Sequence, residues 1–294
     1  AVEAIGGLID TRDGDANAVA ITYGIRAIGD VNNIGGIDAT ATGGTAYADD
    51  RAYAQAYVTG IAGDGIVSNT GAILVDVMGG IADSNDGAAY AYGRATGLFD
   101  DDGPITNSGA VTVAAEGGEA SAGGVGNRAA AYANAKGIDG EGVNNTGPLT
   151  VLAEGGTAET AMEEGAYASA YATAYGIDSE GDATSGSTID VTAEAGTATG
   201  YEEADTSAFA YGIAAEGAVD SSSVIDANAT GGTGVGVEYA RADAISYGIV
   251  TGGAIDNTGA MTLLATGGRA DSSMDVADAV LILQHLFCGL PLEP

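Results

Sequence analysis

Apolar and polar residues alternate with a period of two along most of this 294-residue chain. In the segment Val111–Ala115, for example, Val111, Val113 and Ala115 are separated by Thr112 and the small residue Ala114. A period of two places alternate side chains on opposite faces of a strand, whereas a helix needs a period of 3.6. The pattern therefore predicts an all-β protein.

The alternation is organised into a repeat. Nearly the same dozen residues recur as NTGAILVDVMGG at 69–80, NSGAVTVAAEGG at 107–118 and NTGAMTLLATGG at 257–268. A second marker, Gly-Ile or once Gly-Leu, recurs once in each repeat at spacings of 36 to 40 residues. Its second residue is Ile25, Ile61, Leu98, Ile138, Ile177, Ile213 or Ile249. Repeats of this length indicate stacked supersecondary units.

Alignment of the repeats places apolar residues in the same columns. One column consists of Ile37, Ile73, Val111, Leu149, Ile189, Ile225 and Met261. Such columns are the ladders of a solenoid in which each coil buries its apolar face on the next. We therefore predict a single-stranded β-solenoid, or parallel β-helix, of about seven coils of 36–40 residues over residues 1–268.

The first half of each repeat alternates alanine with tyrosine or charged residues. Because Arg94 and Lys136 share parity with the tyrosines, we expect the tyrosines to face solvent and the alanines to face the core. One large coil per repeat is the preferred geometry. The alternative, two coils of about 18 residues, would stack alanine columns on valine and isoleucine columns.

An asparagine column marks one corner of the repeat, at Asn33, Asn69, Asn107, Asn145 and Asn257. Asparagine tolerates left-handed backbone, and the glycine two residues later gives freedom to the next corner. Stacked asparagines can also bond to one another along the solenoid. The column predicts corner structure, not catalysis.

Residues 269–294 depart from the repeat, and we predict that they form a helical cap. The run MDVADAVLILQHLFCG would form a helix with Asp275 as N-cap, Gly289 as its end and Pro291 beyond it. Its apolar face would contain Val280, Leu283 and Phe287 and would cover the last ladder of the solenoid.

The repeat, with its phrases AYGI and NSGAVTVAAEGG, resembles the passenger regions of bacterial autotransporters and filamentous adhesins. This resemblance covers residues 1–268 and implies an extracellular or cell-surface right-handed β-helix that serves in adhesion or as a stalk. The tail resembles half of a dockerin module. In that resemblance Asp278 matches the last ligand of the calcium loop, and Asp271 and Asp275 match internal positions.

Composition narrows the classes of function. The chain has 41 acidic and eight basic residues, a net charge of −33, which disfavours nucleic acid and anionic membrane as partners. No segment is long and apolar enough for a membrane span. His285 and Cys288 lie in an apolar run of the predicted helix, where a core-facing cap is favoured over a catalytic dyad, so we expect no enzyme.

The turn after the Gly-Ile marker is acidic in several successive repeats. Stacking would place these carboxylates in one column, about 5 Å apart, where they repel each other. Calcium or diffuse counterions would relieve the repulsion, and both alternatives stay open. The candidate calcium ligands are Asp64, Asp100, Asp101, Asp102, Asp139, Glu141, Asp178 and Glu180.

Tyrosine columns and an open end suggest two functions. Exposed aromatic columns would bind glycans or a neighbouring subunit; they contain Tyr23, Tyr57, Tyr92, Tyr132, Tyr171, Tyr175, Tyr211 and Tyr247. Val2 and Ala4 fall in inward columns, so the first strand presents an apolar edge that a second copy would cover. We expect a self-assembling surface filament; the alternative is a carbohydrate-binding adhesin.

Overall fold

The computed structural model describes residues 1–11, 14–161, 163–273 and 276–288. In these ranges the regular structure consists of β-strands, numbered here β1 to β30 in chain order, and no helix is formed. All strand pairs of the described residues are parallel and belong to three long sheets. The predicted parallel β-solenoid is confirmed.

The first sheet contains the valine and isoleucine columns. Each of its strands is four to six residues long, with apolar residues on the inner face. The outer face is mainly polar, with Leu74, Met78 and Leu264 as exposed apolar residues. In spatial order the strands are β1 (Val2–Ile5), β5 (Ile37–Thr42), β9 (Ile73–Met78), β12 (Val111–Glu116), β15 (Leu149–Glu154), β19 (Ile189–Glu194), β23 (Ile225–Thr230) and β27 (Met261–Thr266).

The second sheet follows a glycine corner and has strands of four residues. Its members are β2 (Leu8–Thr11), β6 (Thr45–Ala48), β10 (Ile81–Ser84), β13 (Glu119–Ala122), β16 (Thr157–Thr160), β20 (Thr197–Gly200), β24 (Thr233–Gly236) and β28 (Arg269–Ser272).

The third sheet is the widest and contains the tyrosine columns. Its strands are β3 (Ala16–Arg26), β4 (Val31–Asn33), β7 (Ala52–Gly63), β8 (Val67–Asn69), β11 (Ala89–Asn107), β14 (Arg128–Asn145), β17 (Tyr167–Ser179), β18 (Ala183–Ser185), β21 (Glu203–Ala215), β22 (Val219–Ser221), β25 (Tyr239–Thr251), β26 (Ile255–Asn257), β29 (Val276–Asp278) and β30 (Leu281–Cys288).

Strand register confirms one coil per repeat. Val113 pairs with Val75 on one side and with Val151 on the other, each one repeat away along the chain. Every repeat therefore contributes to all three sheets before the chain returns above its starting point. The two-coil alternative would instead require strands about 18 residues apart to be neighbours.

Two apolar clusters fill the solenoid. The first contains isoleucine, valine, leucine and alanine and lies between the first sheet and the C-terminal part of the long strands of the third sheet. The second consists of alanine alone and includes Ala54, Ala91, Ala131 and Ala170. Because methyl groups are small, the second and third sheets can approach closely there. As predicted, the alanines are buried and the alternating tyrosines lie on the outer face.

The predicted C-terminal helix is not formed by the described residues. Instead, β29 and β30 pair with β25, and Leu286 lies beside Ile249 in the column of the Gly-Ile marker. The free edge of β25 offers the tail a row of backbone partners that an amphipathic helix would leave unpaired. Of the predicted helix ends, Asp275 and Gly289 lie outside the described residues.

Corner asparagines form the expected ladder. The Asn33 Nδ2 donates to Asn69 Oδ1 at 2.7 Å, and the same bond links Asn69 to Asn107 and Asn107 to Asn145 at 2.8 Å. Each amide nitrogen also donates to the carbonyl of the glycine two residues later. From Asn69 to Asn145 the side chains are fully buried.

The expected left-handed backbone is absent from this corner. Among the described residues no residue other than glycine has a positive φ, and the corner glycines also lie outside the left-handed region. The glycines are needed for close stacking: a Cβ on Gly109 would lie 2.0 Å from the carbonyl oxygen of Gly71 in the preceding coil. Any larger residue would push the coils apart.

Candidate functional site

The predicted acidic column is only partly assembled. Asp139 pairs in register with Asp178, whereas the residues stacked before and after them are Phe99 and Ala214. Asp64, Asp101, Asp102, Glu141 and Glu180 are exposed. Among the described residues, no three acidic, histidine or cysteine side chains form a group that could hold a metal ion.

Lys136, which the sequence reasoning did not connect with this column, neutralises its centre. Its Nζ lies 3.1 Å from Asp139 Oδ2 and 2.5 Å from Asp178 Oδ2. Burial alone would lower the pKa of Lys136, but the two carboxylates outweigh burial and raise it. For Asp139, burial outweighs the ammonium and raises the pKa of the carboxyl. A lysine thus lies between two of the carboxylates for which calcium and diffuse counterions were the alternatives.

The side chain of Asp100, which belongs to the same acidic turn, points inward and is 1% exposed. Its Oδ1 accepts hydrogen bonds from the backbone N–H groups of Asp102 and Gly103, at 3.1 and 2.6 Å. These bonds hold an irregular turn where the register between β11 and β14 shifts. The other oxygen, Oδ2, is buried beside Gly63 without a hydrogen-bond partner. Asp100 therefore shapes the turn.

Tyrosines form two stacked ladders on the outer face of the third sheet. In the first, the ring centroids of Tyr92, Tyr132 and Tyr171 follow one another at 5.0 and 5.3 Å. In the second, Tyr175, Tyr211 and Tyr247 are separated by 4.6 and 4.9 Å. The rings within each ladder are nearly parallel, and the ladders run along the solenoid.

Stacking determines what these tyrosines can bind. Because each ring covers the faces of its neighbours, the ladders present ring edges and hydroxyl groups to solvent. Partial burial keeps the phenols neutral: it raises the pKa of Tyr175 to about 12, and it also raises the pKa of Tyr132. A sugar that stacks on an aromatic face needs a ring whose face is open. Rings that do not stack on another tyrosine occur where a ladder is interrupted.

The second ladder is interrupted in the N-terminal coils. Its column begins at Tyr23 and continues through Thr59, Thr96 and Lys136 before it reaches Tyr175. The two threonines leave a surface depression of about 400 Å³. Its lining includes Ile21, Arg26, Tyr57, Arg94 and Phe99. Two predicted surface tyrosines, Tyr23 and Tyr57, thus lie beside a cavity instead of in a ladder.

Both ends of the solenoid present strand edges in the described chain. At the first coil, Val2 and Ile9 belong to inward columns yet are 45% and 36% exposed, because none of the described residues stacks on that side of them. Ala4, also inward, is half-buried. At the other end, Met261 and Leu263 are half-buried, although the residues stacked on them are fully buried.

Because the described tail forms strands, the predicted helical contact face of Val280, Leu283 and Phe287 is not formed. Val280 precedes β30 and is exposed, while Leu283 and Phe287 pair with Ser246 and Val250 of β25. In this register the three residues do not form one helical face over the end of the solenoid. The described tail, up to Cys288, is therefore an extended edge strand of the third sheet.

No helix in the described part of the chain is long and apolar enough to cross a membrane. Comparisons with family models, curated proteins and solved structures gave no significant match, so the resemblance to autotransporter passengers and dockerin modules stays a prediction.

Proposed function

We propose that the protein is a structural subunit that polymerises end to end into a filament at the cell surface or outside the cell. The observation that carries the proposal is the match between the two ends. In the described residues both ends have the same three-sheet cross-section, and each has partly exposed inward residues and outermost strands that pair on one side only. A second copy placed on Val2 would continue its column with Leu263.

The charge of the molecule favours contacts between subunits at the ends of the solenoid over contacts at its sides. A net charge of −33 makes lateral association of two copies unfavourable, because their acidic faces repel. End contacts join backbone groups and apolar side chains instead, and parallel strands can add without a new charge pair. Because such a contact is heterologous and need not close, it produces a fibre.

A matched pair of variants tests this contact. Val2→Lys with Ala4→Lys places two ammonium groups on the inward face of β1, whereas Glu3→Lys gives the same change of net charge on its outward face. Sedimentation velocity and electron microscopy should show filaments for the wild type and for Glu3→Lys. The double variant should be monomeric with an unchanged β-type circular dichroism spectrum. A monomeric wild type at high concentration, or equal behaviour of the two variants, would overturn the proposal.

A carbohydrate-binding adhesin is the second candidate function. The interruption of the second tyrosine ladder supports it, because Tyr23 and Tyr57 line the depression there instead of stacking on other tyrosines. The location outside the cell rests on the sequence resemblance and on the acidic composition, which keeps an exposed fibre soluble.

A further inference from the structure

The space at the interruption of the second ladder lies where tyrosine rings would otherwise stack. From Tyr175 to Tyr247 one tyrosine of this column occupies each coil, with ring centroids 4.6 to 4.9 Å apart, and Lys136 occupies the coil before Tyr175. Thr59 and Thr96 occupy two successive coils, and their short side chains leave the places of two rings unfilled. The resulting space is open to solvent and has Tyr23 at one end.

The charge of this depression is opposite to that of the rest of the molecule. Its lining contains Arg26 and Arg94 and no aspartate or glutamate, in a chain with 41 acidic and eight basic residues. Ion pairs with described carboxylates are made by Lys136, Arg241 and Arg269, and neither arginine of the depression takes part in one. Arg26 instead lies 4.9 Å from the centre of the Tyr23 ring.

The lining is arranged on three adjacent coils. Ile21, Tyr57 and Arg94 form the column on one side of the gap, and Arg26, Ala62 and Phe99 form the column on the other. Aromatic and apolar surface is thus present on both sides. The backbone positions of Arg26 and Arg94 lie on opposite sides and two coils apart, which is about 10 Å along the solenoid.

We propose that this depression binds a small molecule that carries both a six-membered ring and a carboxylate. The ring fills the places beside Thr59 and Thr96 and packs against Tyr23 or Tyr57. The carboxylate binds Arg94 or Arg26, since a guanidinium group matches a carboxylate with two parallel hydrogen bonds. Acidic sugars and aromatic acids share this chemistry. The inference deepens the adhesin candidate and does not depend on filament formation.

The proposal is tested by titration calorimetry with three probes: galacturonic acid, galactose and 4-hydroxybenzoate. At least one of the two acids should bind with a saturable isotherm. The acid that binds more tightly shows whether the ligand is an acidic sugar or an aromatic acid. Galactose, which has the ring without the carboxylate, should bind at least tenfold more weakly. Raising the salt concentration should weaken binding of the acid.

Three variants locate the site. Arg94→Met should weaken binding of the acid at least tenfold, and Thr96→Tyr, which fills the gap with a ring, should abolish it. Arg51→Met is the matched control, because Arg51 is exposed and lies outside the depression; it should leave the affinity unchanged. Circular dichroism and thermal melts identify any variant that fails to fold, and the unmodified protein's preference for acid over galactose does not depend on a variant.

Each contrary result has a definite meaning. Absence of saturable binding of both acids at millimolar concentration would overturn the inference. Equal weakening by Arg94→Met and Arg51→Met would also overturn it, since the effect would then come from net charge. Galactose binding as tight as galacturonate binding would reject the carboxylate requirement and leave the adhesin candidate standing.

Discussion

At the scale of single residues, the corner asparagines join successive coils through buried side chains. Each amide donates to one neighbouring coil and to its own corner, and it accepts from the coil on the other side. Buried polar groups of this kind stabilise a fold only when all partners are present. The ladder thus fixes the register of the corner.

Replacement of Asn107 by alanine tests the ladder. The change leaves the Oδ1 of Asn145 buried without its donor, and loss of a partner of this kind costs about 1–3 kcal/mol. Asn144→Ala, at an exposed neighbouring position, should change the free energy of unfolding by less than about 0.5 kcal/mol. Urea denaturation measures both. Equal destabilisation by the two variants would show that the amide ladder contributes no stability.

Replacement of Lys136 by methionine tests the ion pair at the centre of the acidic column. It leaves Asp139 and Asp178 facing each other in a largely buried site, and breaking such a pair costs about 3 kcal/mol. Arg51→Met removes the same charge at an exposed site and should cost little. In the Lys136 variant, but not in the wild type, calcium should raise the melting temperature above the value in sodium at equal ionic strength. If Lys136→Met lowered the free energy of unfolding by less than about 0.5 kcal/mol, the result would contradict a stabilising role of this ion pair.

The residue scale also shows where sequence reasoning stopped. The asparagine ladder could be predicted because one residue type recurs at one place in the repeat. The role of Lys136 could not, because its partners are Asp139 in its own coil and Asp178 in the next. A single lysine has no column of its own, and only the three-dimensional register places it between the two carboxylates.

At the scale of strands, a pair of charge substitutions tests the register. Val113 is 1% exposed between Val75 and Val151, so Val113→Asp buries an unpaired charge and should cost about 3–5 kcal/mol. Thr112→Asp, on the outer face of the same strand, should cost less than about 1 kcal/mol. Denaturant titration separates them. Equal losses would mean that the assignment of inner and outer faces is wrong.

The strands of the repeat could be predicted because their apolar columns recur. The strand structure of the tail could not be predicted. Residues 281–288 have apolar spacing that also fits a helix, and local pattern cannot weigh the free edge of β25 against helix formation. One signal was available: Leu286 follows Ile249 at the spacing of the repeat. The glycine of the marker is replaced by His285, and this replacement concealed the continuation.

At the scale of the whole molecule, acidic columns make stability depend on pH. Glu154 stacks between Glu116 and Glu194, and burial together with these two neighbours raises the pKa of its carboxyl. Burial and Asp226 raise the pKa of Asp190 in the same way. In each case the folded protein binds the proton more tightly than the unfolded chain, so protonation favours the folded state.

The unfolding free energy should therefore rise as pH is lowered from 7. This contribution is fully present below the unfolded pKa values of about 4 and is lost as pH rises through the folded values. At the alkaline end, burial raises the pKa of Tyr175 to about 12, so stability should fall as the unfolded chain ionises above about pH 10. Urea denaturation in a pH series measures both limbs. A free energy of unfolding that falls between pH 7 and 5 would contradict the acid limb.

End-to-end stacking of the solenoid is tested most directly by the axial rise of its filaments. The first sheet contains eight strands in the described chain, and a spacing of about 4.8 Å between strands gives this chain a length of about 38 Å along the solenoid. Helical reconstruction from cryo-electron micrographs should therefore show an axial rise of about 38 Å per subunit, with strands perpendicular to the filament axis and a continuous 4.8 Å repeat across the subunit boundary. A protein that remains monomeric, or filaments in which subunits contact side by side with another rise, would contradict the proposal.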